Sequence, residues 1–213
     1  MRITSIKKRG NDAEIIYNDT SKIVLDYKIV FDNGLRKNDE ITEDRIDELI
    51  LQNEKLKVQD SAFRFLGRRL HSRSELYQKL IKKGFKKSIV SDVLSGLEEK
   101  KIINDFDFAR LYSEEKVNKK KTGINKIKAG LIQKGVDRKI IEHVLSQLDS
   151  STSEDIAFEL AKKKMDNLRR GGKMLNTRQK LYSFLFSKGF ENDVILKVLQ
   201  KLKIEDNFSD LLG

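Results

Sequence analysis

Three lysine–glycine pairs, each followed by an apolar residue, divide most of the chain into similar segments. The glycines are separated by 51 and then by 54 residues. Around every glycine, apolar residues recur at the same offsets, before it and after it. Self-similarity at such a period is the signature of a repeat architecture. The three signals are Lys83-Gly84-Phe85, Lys134-Gly135-Val136 and Lys188-Gly189-Phe190.

The pattern predicts that each glycine joins two helices. After the glycine, apolar residues come in adjacent pairs three or four positions apart, which is a helical stripe and not a strand. Helices commonly end on a left-handed residue, and glycine adopts that conformation without a Cβ clash. The residue after the glycine then packs against an apolar residue of the last helical turn. The predicted contact pairs are Leu80 with Phe85, Leu131 with Val136 and Leu185 with Phe190.

A further helix is predicted ahead of each pair, which makes a three-helix unit. Ser72 and Glu75 fit a capping box at the start of one paired helix, and Thr177 holds the equivalent place in the third unit. Asp105 and Ser153 are the predicted N-caps of the second and third additional helices. The three additional helices are predicted over about 60–71, 105–120 and 153–168.

The sequence therefore predicts a mostly α fold. Three tandem three-helix repeats, each helix-turn-helix-like, form an elongated or curved array with a small N-terminal β-element. One helix pair cannot bury its own apolar stripes, whereas stacked units can. The predicted segments are 1–58 for the β-element and a helix, 59–104 for the first repeat, 105–150 for the second, and 151–213 for the third repeat with a C-terminal tail.

Residues 1–58 carry the β signals. Short β-prone stretches near 2–8, 13–17 and 21–26 predict strands. Alternating apolar residues extend the third strand to residue 31 in one interpretation, and a short helix over about 26–33 is the alternative. The sequence leaves both open. Thr42 is predicted to cap a helix that begins at Glu43.

The charge of the chain is concentrated in its middle. The whole chain carries a net charge of +11. Residues 59–148 hold 21 Lys and Arg against 11 Asp and Glu, a net of +10, while residues 1–58 have a net of −1. A localised basic segment is typical of a protein with a polyanionic partner, either nucleic acid or an acidic protein surface. The alternative is a solubilising surface without a partner.

The sequence contains no set of residues that indicates an enzyme or a cofactor. No phosphate-binding loop or nucleophile elbow is present, and the basic, glycine-rich stretch 169–173 matches neither. The two histidines, His71 and His143, lie far apart in the chain, and there is no cysteine, so no metal site is predicted. No apolar run is long enough for a membrane span, and a cytoplasmic location is expected.

The basic residues favour contacts with a phosphate backbone and not with bases. In a DNA-reading helix–turn–helix motif, the second helix presents base-reading side chains to the major groove. Here the outward positions of that helix, such as Ser91, Asp92 and Ser95, offer no Arg or Asn for bidentate base contacts. The cations lie instead at helix ends and connections. The predicted partner or DNA-binding surface consists of Arg68, Arg69, Arg73, Lys82, Lys86, Lys87, Lys119, Lys120, Lys121 and Lys126.

Several stretches between residues 60 and 202 resemble the RecX family of recombination regulators. The first is Arg73-Ser74-Glu75-Leu76 leading to Gly84-Phe85, and the second is residues 103–109, Ile-Asn-Asp-Phe-Asp-Phe-Ala. The third is Lys121-Thr122-Gly123, followed by Ile127, Leu131 and Lys134-Gly135-Val136. The chain departs from the family pattern at Gly130, where an acidic residue is usual, and at Ile124, where Pro is common.

The resemblance implies a monomeric protein without a cofactor that binds in the groove of a RecA-type recombinase filament. Such a protein inhibits the ATPase and strand-exchange activities of the filament, and it binds single- and double-stranded DNA weakly and without sequence preference. A second hypothesis is a helical repeat protein that binds nucleic acid non-specifically and has no recombinase partner. A third, an enzyme of unrecognised type, is disfavoured because no catalytic set is present.

Overall fold

The computed structural model describes residues 1–18, 20–148 and 150–204. Contacts divide the chain into two compact units. Unit 1 contains Met1–Leu70 and Leu76–Ile102, and unit 2 contains His71–Glu75 and the chain from Ile103 onward. The predicted C-terminal tail after residue 204 lies outside the described residues. The four segment boundaries given above stay predictions.

The N-terminal β-element is a three-stranded antiparallel sheet, as predicted. Its strands are β1 (Ile3–Arg9), β2 (Asp12–Tyr17) and β3 (Ser21–Asp26), paired in the order β1-β2-β3. One face of the sheet buries apolar side chains against the following helices. The members of this small core include Ile3, Ala13, Ile15, Leu25, Ile46 and Leu49.

The segment that the sequence left open is a helix, α1 (Tyr27–Asp32). Asp26 ends the strand and caps the helix, because its side chain accepts a hydrogen bond from the Lys28 amide at 2.8 Å. The amide of Asp26 itself donates to Oδ1 of the buried Asn53 at 2.7 Å. The extension of the third strand to residue 31 is therefore wrong.

One long helix, α2 (Glu43–Leu66), replaces two predicted ones. Thr42 caps it as predicted and accepts from the Arg45 amide at 3.2 Å. The helix then continues for 24 residues, so the helix predicted over about 60–71 is only its C-terminal part and ends earlier. Buried Val58 and Ala62 give the second half of α2 a packing face of its own.

The remaining eight described helices complete three three-helix units. Together with the C-terminal part of α2, they follow the predicted order of one helix and then a pair joined by a glycine. They are α3 (Arg73–Lys82), α4 (Lys87–Glu99), α5 (Asp105–Asn118), α6 (Ile124–Gln133), α7 (Arg138–Ser146), α8 (Ser150–Arg170), α9 (Thr177–Lys188) and α10 (Asn192–Lys201).

The three glycine turns have the predicted geometry. Gly84, Gly135 and Gly189 adopt φ values of 90°, 69° and 88°. After Gly135, the Val136 amide donates to the Leu131 carbonyl at 3.2 Å, and the other two turns repeat this bond. Such turns satisfy carbonyl groups that the end of a helix would leave without partners. The turns thus connect α3 to α4, α6 to α7 and α9 to α10.

Several predicted helix caps are wrong in detail. Asn104, not Asp105, caps α5, and its side chain accepts from the amides of Phe106 and Asp107. Ser153 lies inside α8, which begins at Ser150. Thr177 does not cap α9, because its hydroxyl donates to the Met174 carbonyl instead. The caps at Asp105 and Thr177 were each placed one residue too late, and the start of α8 was placed three residues too late.

We expect Gly135→Val to destabilise unit 2. A β-branched side chain resists positive φ, and a Cβ at Gly135 would also overlap the side chain of Ser74. The two costs together come to about 2–4 kcal/mol. Thermal and urea unfolding of the purified protein measure this loss.

Gly84→Val is the matched control. Gly84 has the same kind of backbone conformation, but a Cβ there meets no atom within 4 Å. The free energy of unfolding of Gly84→Val should therefore fall only by the cost of placing a β-branched residue at positive φ. Equal losses of stability at both glycines would show that the contact with Ser74 contributes nothing.

Candidate nucleic-acid interface

The connection between α5 and α6 presents three consecutive lysines in a tight turn. The amides of Lys120, Lys121 and Thr122 donate back to carbonyl groups in the last turns of α5, at 3.0–3.3 Å. Lys121 adopts a positive φ of 48°. Lys119 and Lys120 are exposed. The fold thus holds two ammonium groups on a short, hydrogen-bonded loop that leaves them accessible to a partner.

Lys121 is oriented differently from its two neighbours. Its ammonium group donates a hydrogen bond to the carboxylate of Glu159 in α8. That hydrogen bond, together with the charge of Lys121, holds the pKa of Glu159 below its ordinary value. The pair is exposed, so its contribution to stability is small. Lys121 therefore forms a contact between the second and third repeats and also contributes positive charge to the surface.

Lys126 lies where the second repeat meets the third. Its Nζ donates to the Ser187 carbonyl at 3.1 Å. The amides of Gly123 and Asn125 donate to the carbonyls of Lys188 and Gly189, both at 3.0 Å. A Cβ on Gly123 would overlap the backbone of Gly189 and Phe190. The first turn of α6 thus packs backbone to backbone against the turn that ends α9.

The first and second repeats meet through the same positions. Ser72 lies twelve residues before its glycine, as Gly123 does, and its hydroxyl donates to the Lys134 carbonyl at 2.6 Å. Lys134 in turn places its Nζ 2.5 Å from the carboxylate of Glu75. The Ser72 hydroxyl also accepts from the Glu75 amide at 3.1 Å, the predicted capping bond. We call this contact between the first and second repeats, and the one between the second and third repeats, the repeat joints.

The remaining predicted site residues lie near α3 and α4. Arg68 and Arg69 follow the end of α2, Lys82 ends α3, and Lys87 begins α4. Lys86 is exposed, and its Nζ lies 3.1 Å from the Glu54 carboxylate. Five of the ten predicted residues thus belong to unit 1, namely Arg68, Arg69, Lys82, Lys86 and Lys87.

Arg73 and the four lysines between 119 and 126 belong to unit 2. The amide of Arg73 donates to Oδ1 of Asp105 at 2.8 Å, and this bond links the start of α3 to the start of α5. This explains why Asp105 does not cap its own helix. The sequence pattern could not show that the carboxylate would find an amide 32 residues away.

Gly130, where the family resemblance leads one to expect an acidic residue, leaves room for an aromatic ring. A Cβ at this position would overlap the hydroxyl of Tyr112. The ring of Tyr112 stacks on Phe108 with centroids 6.0 Å apart, and Nζ of Lys134 lies 5.6 Å from the Tyr112 centroid. Gly130 thus lowers the helix propensity of α6, but it allows α5 to pack closely against α6.

The described residues provide neither a metal site nor a membrane span. In that part of the chain, no group of three or more His, Cys, Asp or Glu side chains could hold a metal ion. None of the helices formed by those residues is long and apolar enough to cross a bilayer.

Comparison with known families identifies the three three-helix repeats. The RecX first three-helix domain matches residues 60–97, the second matches 104–145 and the third matches 152–199. The chain belongs to the RecX family. This confirms the resemblance inferred from the sequence and the prediction of three tandem three-helix repeats after a small β-element.

RecX relatives match along almost the whole chain. A protein named regulatory protein RecX from Clostridium perfringens strain 13 is 30% identical over 205 residues, which are 94% of this chain and 96% of the relative. The protein of that name from Clostridioides difficile is 31% identical over 209 residues, covering 97% and 98%. The match includes the N-terminal sheet as well as the repeats.

Solved RecX structures have the same fold. One crystal structure of regulatory protein RecX superimposes with a TM-score of 0.75 at 22% identity and covers 96% of this chain and 99% of that chain. The crystal structure of RecX from Lactobacillus salivarius gives a TM-score of 0.65 at 26% identity and covers 72% of this chain and 99% of that chain.

The repeat joints were only partly predictable from the sequence. The ion pair between Lys134 and Glu75 was not predicted from the sequence. The usable signal was positional: Ser72 and Gly123 occupy equivalent places, twelve residues before Gly84 and Gly135. Equivalent positions of repeats meet equivalent neighbours.

A double-mutant cycle tests the packing of Tyr112 on Gly130. In the parent protein we expect Gly130→Ala to be neutral or destabilising, because the overlap with Tyr112 offsets a propensity gain of about 1 kcal/mol. In a Tyr112→Leu background the overlap is gone, and Gly130→Ala should stabilise by about 0.5–1 kcal/mol. Urea unfolding measures all four proteins. If Gly130→Ala changes the free energy of unfolding by the same amount and in the same direction in both backgrounds, Tyr112 does not pack on Gly130.

Proposed function

We propose that this RecX-family chain binds a RecA-type recombinase filament in the cytoplasm and inhibits its ATPase and strand-exchange activities. The observation that carries the proposal is the combination of three RecX domains with a net charge of +10 in residues 59–148. The relatives named regulatory protein RecX support a regulatory role. The chain acts as a monomer and needs no cofactor.

The ten predicted cations would contact the partner, five of them in each unit, and in unit 2 Lys119, Lys120 and Lys126 are exposed. Lysine is a compact point charge that contacts phosphate oxygens without a fixed planar geometry. Such contacts position a protein on a nucleic-acid backbone but read no sequence. Two members, Lys121 and Lys126, also hold the joint between the second and third repeats. Partner contact and repeat geometry are thereby linked through the same side chains.

A helical repeat protein that binds nucleic acid and has no recombinase partner is the second candidate, since it would use the same basic segment. The two functions differ in a titration of filament-bound ATPase. A RecX-type regulator suppresses the ATPase at amounts below those needed to coat free DNA. Suppression only at coating amounts would favour the second candidate.

Charge reversal at Lys119 and Lys120 tests where the partner binds. We expect the double substitution Lys119→Glu and Lys120→Glu to weaken inhibition of the filament ATPase strongly, because the reversed charges repel a polyanion. Folding should survive, since surface substitutions of this kind usually shift stability by about 0.5 kcal/mol each. Lys121 is left unchanged because its reversal would place a glutamate against Glu159.

The matched control reverses Lys22 and Lys37, which are also exposed but lie outside the basic segment. Both variants change the net charge equally and are compared at one salt concentration. An equal loss of inhibition in both would show that net charge governs the effect and that the contact is not localised. No loss in either would place the contacts elsewhere, with Arg169, Arg170 and Lys173 as the next residues to test.

Binding to free DNA should be weak, indifferent to sequence and steeply dependent on salt. Each neutralised phosphate releases counterions, so the logarithm of the binding constant falls with the logarithm of salt concentration by about 0.7–0.9 per contact. Fluorescence anisotropy with labelled oligonucleotides measures this slope. The Lys119/Lys120 variant should lose about 1.4 units of slope on single strands. A slope close to zero for the parent protein would contradict the electrostatic surface.

A further inference from the structure

An aromatic side chain is exposed beside the joint between the second and third repeats. Phe186 lies in the last turn of α9 and is 61% exposed. Its neighbour Leu185 is fully buried, so the core of the third repeat does not depend on Phe186. The equivalent positions in the other repeats, three residues before the glycine, hold Ile81 and Ile132. An aromatic ring at this place thus distinguishes the third repeat from the other two.

A second ring holds Phe186 in a defined orientation. Tyr182, one helical turn earlier, lies nearly parallel to it, with ring centroids 6.1 Å apart and an interplanar angle of 10°. The hydroxyl of Tyr182 donates to Oδ1 of Asn192 at 2.9 Å, and this bond fixes the supporting ring to the start of α10. Phe186 therefore has one side against Tyr182 and exposes the other. Parallel, offset stacking is a geometry that aromatic rings prefer.

Two lysine side chains, those of Lys126 and Lys188, lie close to residues that follow and precede Phe186. The Nζ of Lys126 is bonded to the carbonyl of Ser187, the residue after Phe186. Lys188 follows, with its Nζ 5.8 Å from the Phe184 ring on the neighbouring face of α9. At the other joint, the position of Lys126 is taken by Glu75 and that of Phe186 by Ile132. Of the two joints, the one between the second and third repeats combines an exposed aromatic ring with a cation.

We propose that Phe186, supported by Tyr182, receives an unpaired base of single-stranded nucleic acid while Lys126 contacts an adjacent phosphate. Aromatic side chains beside cations are how proteins bind single strands without reading their sequence, because every base has a π-face. Bases in a duplex are already stacked on each other and cannot use such a platform. The inference rests on the proposed function only in that nucleic acid is taken as the polyanion that the basic segment contacts.

A tryptophan placed at the platform reports stacking directly. The chain contains no tryptophan and five tyrosines, so Phe186→Trp introduces a single tryptophan, which can be excited selectively at the red edge of its absorption and keeps an aromatic ring in place. Oligothymidylate should quench its fluorescence strongly, whereas inorganic polyphosphate, an anion without bases, should quench it little. Ile132→Trp is the matched control, because Ile132 occupies the equivalent place in the second repeat and is 49% exposed. Its quenching by oligothymidylate should be weak.

The affinity of a smaller, non-aromatic variant gives the second measurement. Phe186→Leu should lower the affinity for oligothymidylate about tenfold, which lies within the range for loss of one base–aromatic stack. Its affinity for duplex DNA of equal length should stay within about twofold of the parent. Circular dichroism melting confirms that both Phe186 variants fold. Equal quenching of the two tryptophans, or unchanged single-strand affinity in Phe186→Leu, overturns the proposal.

The outcomes separate this platform from a protein-binding patch and from the proposed function. If Phe186→Leu loses filament inhibition while its single-strand affinity is unchanged, Phe186 contacts protein and the base-stacking proposal is wrong. If the parent protein does not inhibit a recombinase filament but Phe186→Trp is quenched as described, the platform stands and the recombinase function fails.

Discussion

The contact between the first turn of one helix and the glycine turn of the next repeat is the interaction on which this structure depends. It occurs between α6 and the turn after α9, and again between the start of α3 and the turn after α6. Carbonyl groups that a helix end leaves without partners accept hydrogen bonds from the preceding repeat. Because backbone atoms approach so closely at Gly123 and Gly189, a side chain at either position would force the repeats apart.

The same joints bring charged residues to the surface. The first turn of α6 packs against the glycine turn after α9, and the connection that precedes α6 lies at the surface. This connection carries the exposed Lys119 and Lys120. Lys121, Lys126 and Lys134 use their charges within the joints, through Glu159, the Ser187 carbonyl and Glu75. Basic residues in this segment therefore have two roles. Some hold one repeat against the next, others are available to a polyanionic partner, and Lys126 is placed for both.

The sequence predicted best those features that depend on neighbouring residues. The glycine turns, the Thr42 cap and the paired helices follow from offsets of three to five positions, and the structure confirms them. The Asp105 cap failed because a distant group competes for its carboxylate. Asp105 accepts a hydrogen bond from the Arg73 amide, and Asn104 caps α5 instead. The predicted surface of ten cations includes two side chains that the fold engages between repeats, Lys121 and Lys126.

The sequence alone determined the number of repeats, the position of each turn and the concentration of positive charge in the middle of the chain. These properties depend on periodicity and composition, which are local or additive. Only the tertiary structure decided that Ser72 and Gly123 meet the following turns, that Tyr112 occupies the space above Gly130, and that Phe186 lies exposed on Tyr182. The first two outcomes depend on which surfaces touch across 18 to 66 residues of chain, at distances that no short-range pattern encodes. The third depends on which face of α9 the core of the third repeat buries.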